Sequence, residues 1–194
     1  MRLERKTVLL VSAIVEGALI LAYVVWARLR PAPPLGIPGS EDVLLALQFC
    51  LPLLVFNFAF FGPLANRLSF LQGCRAFRDS IVRPLADALD PGSAFIVAAL
   101  AGIGEELFFR GIFQTEFGLL VASLLFALLH FGPAIRSYLF IGSMYLLFGF
   151  YFGLMYDLTG SLWVPIISHA TYDFVVLVVL RYGFPAIGVE RVST

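Results

Sequence analysis

Charge is what this chain has least of. Acidic and basic residues make up 13% of its 194 residues, about half the share of a soluble domain. Lysine has almost vanished, since twelve of the thirteen basic residues are arginine, a bias associated with GC-rich bacterial genomes. Formal net charge is zero, so there is no basic field to attract nucleic acid, and no nucleic-acid partner is expected. Cysteine is down to Cys50 and Cys74, without CxxC or CxxH spacing, which argues against a disulfide framework and against a thiolate metal site. Both read as small apolar or interfacial residues. Neither an internal repeat nor a low-complexity tract is visible.

What fills the chain instead is apolar. Hydrophobic residues reach 60%, in runs long enough to cross a bilayer. At about 20 residues per span, roughly five to seven helices fit in this length. The expected fold is therefore all-α: a polytopic membrane protein of about six transmembrane helices with an interfacial amphipathic helix.

The first run, Thr7 to Trp26, follows the basic stretch Met-Arg-Leu-Glu-Arg-Lys. It is longer than a signal-peptide core, carries Glu16 and lacks a clean small-x-small site, so a retained helix is expected. Glu16 reads as lipid-shielded, protonated or paired. Pro31, Pro33, Pro34 and Pro38 make Arg30–Gly39 an external loop. Ser40, followed by Glu41 and Asp42, is the expected cap of a second span from about Val43 to Phe61, kinked at Pro52. From Gly62 to Gly92, charged residues interleave with apolar ones at helical spacing, which predicts the interfacial helix; a solvated linker is the alternative. A third span opens at Asp90-Pro91 or Ser93 and fades near Gln114–Gly118. A short fourth segment, Leu119 to Phe131, ends at Gly132-Pro133; Ser137–Tyr156 and Leu162–Tyr182 complete the set. Residues 1–91 then form an N-terminal part and 92–182 a helical core, within one structural unit.

Basic residues are unevenly shared. With a cytoplasmic N-terminus, Arg2, Arg5, Lys6, Arg67, Arg75, Arg78, Arg83, Arg136, Arg181 and Arg191 fall inside, while only Arg28 and Arg30 fall outside. The positive-inside rule then places both termini in the cytoplasm, in what would be a bacterial inner membrane. Trp26 and Trp163 suit interface positions.

Against this background one stretch stands out: Ala101-Gly102-Ile103-Gly104-Glu105-Glu106-Leu107-Phe108-Phe109-Arg110. A charge at mid-bilayer costs about 2.5–3.5 kcal/mol even on lenient scales, so such residues usually mark function. Two later spans carry His130, and His169 with Asp173. At about 1.5 Å rise per residue, antiparallel helices place Glu105, His130 and Asp173 about 15–16 Å from their outer ends, and His169 about 10 Å. All these groups then share one layer. Glu106 and Arg110, Phe126 and His130, and His169 and Asp173 are i,i+4 pairs, neighbours on a helix face. Gly102 and Gly104 leave room for a neighbouring helix.

Carboxylate and imidazole together suit water activation, the carboxylate as general base and the imidazole as orienter or donor. Each piece also has a plainer reading. A buried Glu–Arg pair is often structural, a membrane histidine often bridges helices, and two imidazoles with a carboxylate can hold a divalent metal such as zinc.

In order and spacing, Glu105-Glu106-Leu107-Phe108-Phe109-Arg110 (EExxxR), Phe126–His130 (FxxxH) and His169–Asp173 (HxxxN/D) resemble the CPBP family of CAAX-type and bacteriocin-processing intramembrane proteases. Phe109-Arg110-Gly111 and Gly160-Ser161-Leu162-Trp163-Val164-Pro165 agree with it, and the likeness covers roughly Gly92 to Leu180. It implies a glutamate-dependent endopeptidase acting on a membrane protein or peptide, a small sorting-protease (myxosortase-like) member being one possibility. By the same resemblance Glu105 with His130 activates the water, His169 with residue 173 stabilises the oxyanion, and Glu106 and Arg110, with Phe126 in support, hold the geometry. No cofactor is required on this reading, a divalent metal such as zinc being the alternative. Many members carry Asn where this chain has Asp173; Asn donates a hydrogen bond, whereas ionised Asp only accepts. Two other functions fit the same scaffold: a non-proteolytic factor of bacteriocin-immunity or chaperone-like type, and a small transporter.

Overall fold

The computed structural model describes residues 3–131 and 139–183, and every regular element among them is helical. In chain order the main ones are α1 (Arg5–Leu29), α2 (Ser40–Phe60), the interrupted helix α3 (residues 72–88), α4 (Pro91–Phe117), α5 (Leu119–Phe131), α6 (Leu139–Thr159) and α7 (Trp163–Tyr182), with short helical turns at Pro63–Arg67 and Ser69–Leu71 between α2 and α3. Among the described residues, five helices are long and apolar enough to span a bilayer: α1, α2, α4, α6 and α7. The sixth, α5, has 13 residues, about 20 Å at 1.5 Å rise against a hydrocarbon core of about 30 Å. The expected Gly132-Pro133 break, the Ser137 start and Arg2, Arg136 and Arg191 of the basic count lie outside the described residues.

Local chemistry sets the helix ends. Ser40 does not cap α2. It is the first helical residue, and Gly39 takes the cap position while its N–H donates to the Asp42 carboxylate at 2.7 Å. Pro52 lies within α2. Asp90 caps α4, accepting from the Ser93 N–H at 2.8 Å and the Ser93 hydroxyl at 2.7 Å, with Pro91 at the first helical position. Those two bonds and the Arg5 guanidinium hold the Asp90 carboxyl down to about 2. The Arg5–Asp90 ion pair also joins the starts of α1 and α4. Gly118, at φ +83°, ends α4 and turns the chain into α5; few other residues tolerate that backbone.

α4 lies between α1 and α7, α2 packs on α7, and α5 on α6. Two glycines of α4 allow the close approach. A Cβ at Gly102 would sit 2.7 Å from the Ile166 carbonyl of α7, and one at Gly104 would sit 2.6 Å from the Glu16 carboxylate of α1.

The segment between α2 and α4 is helical in pieces, with a π-type turn at Arg78–Val82 inside α3. Its apolar side turns inward: Leu71, Cys74 and Phe77 are buried with Ile141 and Met144 of α6, while Phe70 and Ile81 are exposed. Arg181 of α7 donates to the carbonyls of Asp87 (2.7 Å) and Leu89 (2.5 Å), satisfying acceptors freed where α3 ends. Arg83 reaches the Leu180 carbonyl at 3.4 Å. These contacts gather Arg83 and Arg181 at one end of the bundle. Both cysteines are free and buried, with Cys74 Sγ 3.9 Å from Met144 Sδ.

Candidate active site

Glu106 is the centre of the inner layer. Its carboxylate is fully buried, and one oxygen accepts from His169 Nδ1–H at 2.8 Å. The other lies 3.1 Å from Arg110 Nε, an ion pair whose angle falls short of a hydrogen bond. Arg110 donates through Nη2 to the Gly149 carbonyl of α6 at 2.7 Å. Its guanidinium carbon stands 5.1 Å from the centre of the Phe126 ring and 5.8 Å from those of Phe109 and Phe152, within cation–π range. Phe152 also stacks on the His169 ring at 4.6 Å and 18°. A guanidinium without a deprotonated form thus sits against a carboxylate, aromatic faces and a carbonyl, which offsets part of the cost of burying both charges.

The outer layer begins one residue earlier. Adjacent helical residues point about 100° apart, so Glu105 leaves that cluster and meets His130 of α5, with Oε2 3.6 Å from Nε2. His130 Nδ1 lies 2.7 Å from the Phe126 carbonyl, and its ring leans on Phe126 at 4.4 Å and on Tyr145 at 4.8 Å. A carbonyl only accepts, so a proton belongs on Nδ1, and Nε2 is the nitrogen turned toward Glu105. The same assignment at His169 leaves its Nε2 facing Asp173 Oδ2, again at 3.6 Å.

Exposure separates the layers. The side chains of Glu106 and Arg110 are 0% and 1% exposed, those of Glu105, His130 and Asp173 14%, 26% and 32%. Asp173 also lines a cavity of about 560 Å³ between α2, α3, α6 and α7, whose walls include Asn57, Tyr145 and Tyr172, with Arg78 and Arg83 from α3. All seven expected residues are thus brought together from α4, α5 and α7.

Other members were not singled out from sequence. Gln114 repeats the action of Arg110 one turn later, donating to the Gly153 carbonyl at 3.0 Å and to Asp157 at 2.7 Å. The i,i+4 register of Arg110 and Gln114, set against Gly149 and Gly153, was the available signal. Both side chains arise from a π-type turn, Phe109–Gln114, a feature that often marks functional sites. Glu16 is buried against Gly104, next to the catalytic candidate and within electrostatic reach of it. Tyr145 carries no motif; only the α5–α6 packing reveals it.

Among the described residues, no three His, Cys, Asp or Glu side chains are grouped to hold a metal ion. Each imidazole commits Nδ1 to a protein acceptor, and the two Nε2 atoms face different carboxylates. No step below passes through a metal.

Fold and site together define a polytopic helical membrane protein with a buried Glu–Arg–His cluster and a more exposed Glu–His pair. Residues 88–175, which contain all seven residues, match the family model described as type II CAAX prenyl endopeptidase Rce1-like. The match takes in 88 of the 194 residues, a little under half of the chain. Over 83 residues the chain is 43% identical to the uncharacterized protein YpbD of Bacillus subtilis (strain 168). The match takes in 43% of each chain, less than half the relative's length. No solved structure matches the chain.

Proposed function

We propose that this protein is an intramembrane endopeptidase that hydrolyses a peptide bond in a membrane-associated protein or peptide, with water activated by Glu105 and His130. The observation that carries this reading is the Glu105–His130 pair. Two acceptor atoms 3.6 Å apart, too far for a direct hydrogen bond, suit one water donating a proton to each. As that water's oxygen attacks the scissile carbonyl, its proton passes to Glu105. Glu105 then gives this proton to the leaving amine as the C–N bond breaks, and the carboxylate is restored. His130 orients the water.

Glu106 is a positioning residue in this scheme, held by Arg110 and holding His169 by its Nδ1–H. When His169 Nε2 carries a proton it donates to the oxyanion of the tetrahedral intermediate, and Asp173 keeps the ring turned toward it. No metal or other cofactor is needed. The reaction is placed in a bacterial cell membrane, and the concentration of Arg5, Arg78, Arg83 and Arg181 supports a cytoplasmic face at their end.

The test compares protein termini in membranes of cells carrying wild type or Glu105→Gln. A set of cleaved termini is expected to vanish in the variant, and the purified variant is expected to be about 10²–10⁴-fold slower, the usual contribution of a positioned base. Cleavage by wild type is expected to persist in 1,10-phenanthroline. Identical termini in both cells would leave a non-proteolytic membrane factor as the better account.

A further inference from the structure

We propose that Asn57 and Tyr172 form a subsite for the main chain of the substrate, the Tyr172 O–H donating to a peptide carbonyl and Asn57 Oδ1 accepting from a peptide N–H. This rests on the endopeptidase reading above. The pair joins α2 to α7, with Asn57 Nδ2 donating to the Tyr172 hydroxyl at 2.7 Å. That bond occupies a lone pair of the phenol and leaves the phenol's own proton unspent. Among the described residues neither side chain makes another hydrogen bond, so a donor on Tyr172 and an acceptor on Asn57 stand open. Asn57 lies in an apolar span, where an amide is costly to desolvate. A bridge between two helices uses only one of the hydrogen bonds these groups can make.

Both residues line the cavity of about 560 Å³ that also holds Asp173, which is the next residue of α7 and within electrostatic reach of the Tyr172 hydroxyl. Continuity with Asp173 makes the occupant of this wall the substrate peptide. The electrostatic neighbours of Tyr172 do not include Glu105, so the pair meets the chain beside the scissile bond rather than at it. Phe148 of α6 holds the phenol ring edge to face, at 5.7 Å. In an extended chain the N–H and C=O of one residue project to the same side, so a single residue can engage the pair as a strand engages its neighbour. A helical segment cannot, because its N–H and C=O groups are spent on each other. The subsite therefore selects a substrate that is extended or unwound next to the cut, and it excludes proline at the residue it holds. Asn57 lies outside residues 88–175, so this recognition depends on the N-terminal part of the chain.

The test uses the purified full-length protein in detergent, with self-quenched fluorescent casein as probe. Tyr172→Phe keeps the ring and removes the donor, so KM is expected to rise about 3–10-fold with kcat nearly unchanged, as for loss of one neutral hydrogen bond. Should Tyr172→Phe fold poorly, Asn57→Asp replaces it. The carboxylate only accepts, so it draws the Tyr172 proton to itself, keeping α2 joined to α7 while the cavity loses its donor, and KM is expected to rise by a similar factor. An unchanged KM, with only the thermal midpoint lowered, reduces the pair to a bridge between helices and overturns the proposal. A fall in kcat at constant KM also overturns it, because the phenol would then act only in the transition state. If wild type itself releases no more fluorescence than Glu105→Gln, the endopeptidase reading fails and takes this proposal with it.

Discussion

Glu105 and Glu106 are identical in chemistry and adjacent in sequence, yet they occupy different surroundings. Glu106 is fully buried between Arg110 and His169, while Glu105 is 14% exposed beside His130. The proposed division of roles rests on this difference, because a base must reach water and a buried ion pair must avoid it. Removing one partner of such a pair leaves an uncompensated buried charge, at a cost of about 3–5 kcal/mol. Arg110→Leu is therefore expected to lower the thermal midpoint in detergent by several degrees and to abolish cleavage. Glu106→Gln added to Arg110→Leu is expected to restore part of the stability and none of the activity. An Arg110→Leu midpoint equal to wild type would show that the guanidinium does not hold the inner layer.

At the scale of elements, α4 is the member the others are built around. The helix shows one glycine to α7 and another to α1, so two neighbours approach its backbone on different sides. A Cβ at Gly102 would meet the Ile166 carbonyl at 2.7 Å and the Ala170 nitrogen at 2.9 Å, backbone atoms with no rotamer to relieve the clash. Gly102→Ala is expected to cost about 1–3 kcal/mol through overpacking, which outweighs the gain of up to about 1 kcal/mol in helix propensity. Because α7 also carries His169, activity is expected to fall further than stability. Gly17 supplies the control. A Cβ there meets nothing within 4 Å, so Gly17→Ala should leave melting and cleavage unchanged or slightly raise the midpoint. Equal effects at the two positions would remove the packing argument.

Across the whole molecule, the cavity of about 560 Å³ leads from the end carrying Arg78 and Arg83 to Asp173 and Tyr145. A substrate using it would arrive from the side that the basic residues mark as cytoplasmic. A single cysteine at Val82, on the cavity wall, is expected to block cleavage once a bulky maleimide is attached. The same label at Phe95, on a separate apolar cleft between α4 and α7, is expected to have little effect. Native Cys50 and Cys74 are buried and should react slowly. Inhibition from Phe95 alone would move the access route to that cleft.

The sequence by itself determined that the chain is helical and membrane-embedded, near which residues its long helices run, and which polar side chains lie inside them. Those properties are local: apolar transfer adds up along a run, and a charge inside it is costly wherever the run is placed. The i,i+4 pairs were legible for the same reason, because a helix sets its own neighbours. Ser40 was misread as the cap because Gly39 does equally well once Asp42 reaches back to its N–H. Only the tertiary structure decided that Glu106 also takes His169 of α7 while Glu105 takes the more open position, that Glu16 lies against Gly104, and that Tyr145 stands beside His130. These outcomes depend on how each helix is rotated against its neighbours. That rotation is set by contacts between residues far apart in the chain, at close approaches that glycine, aromatic rings and one buried guanidinium make possible together.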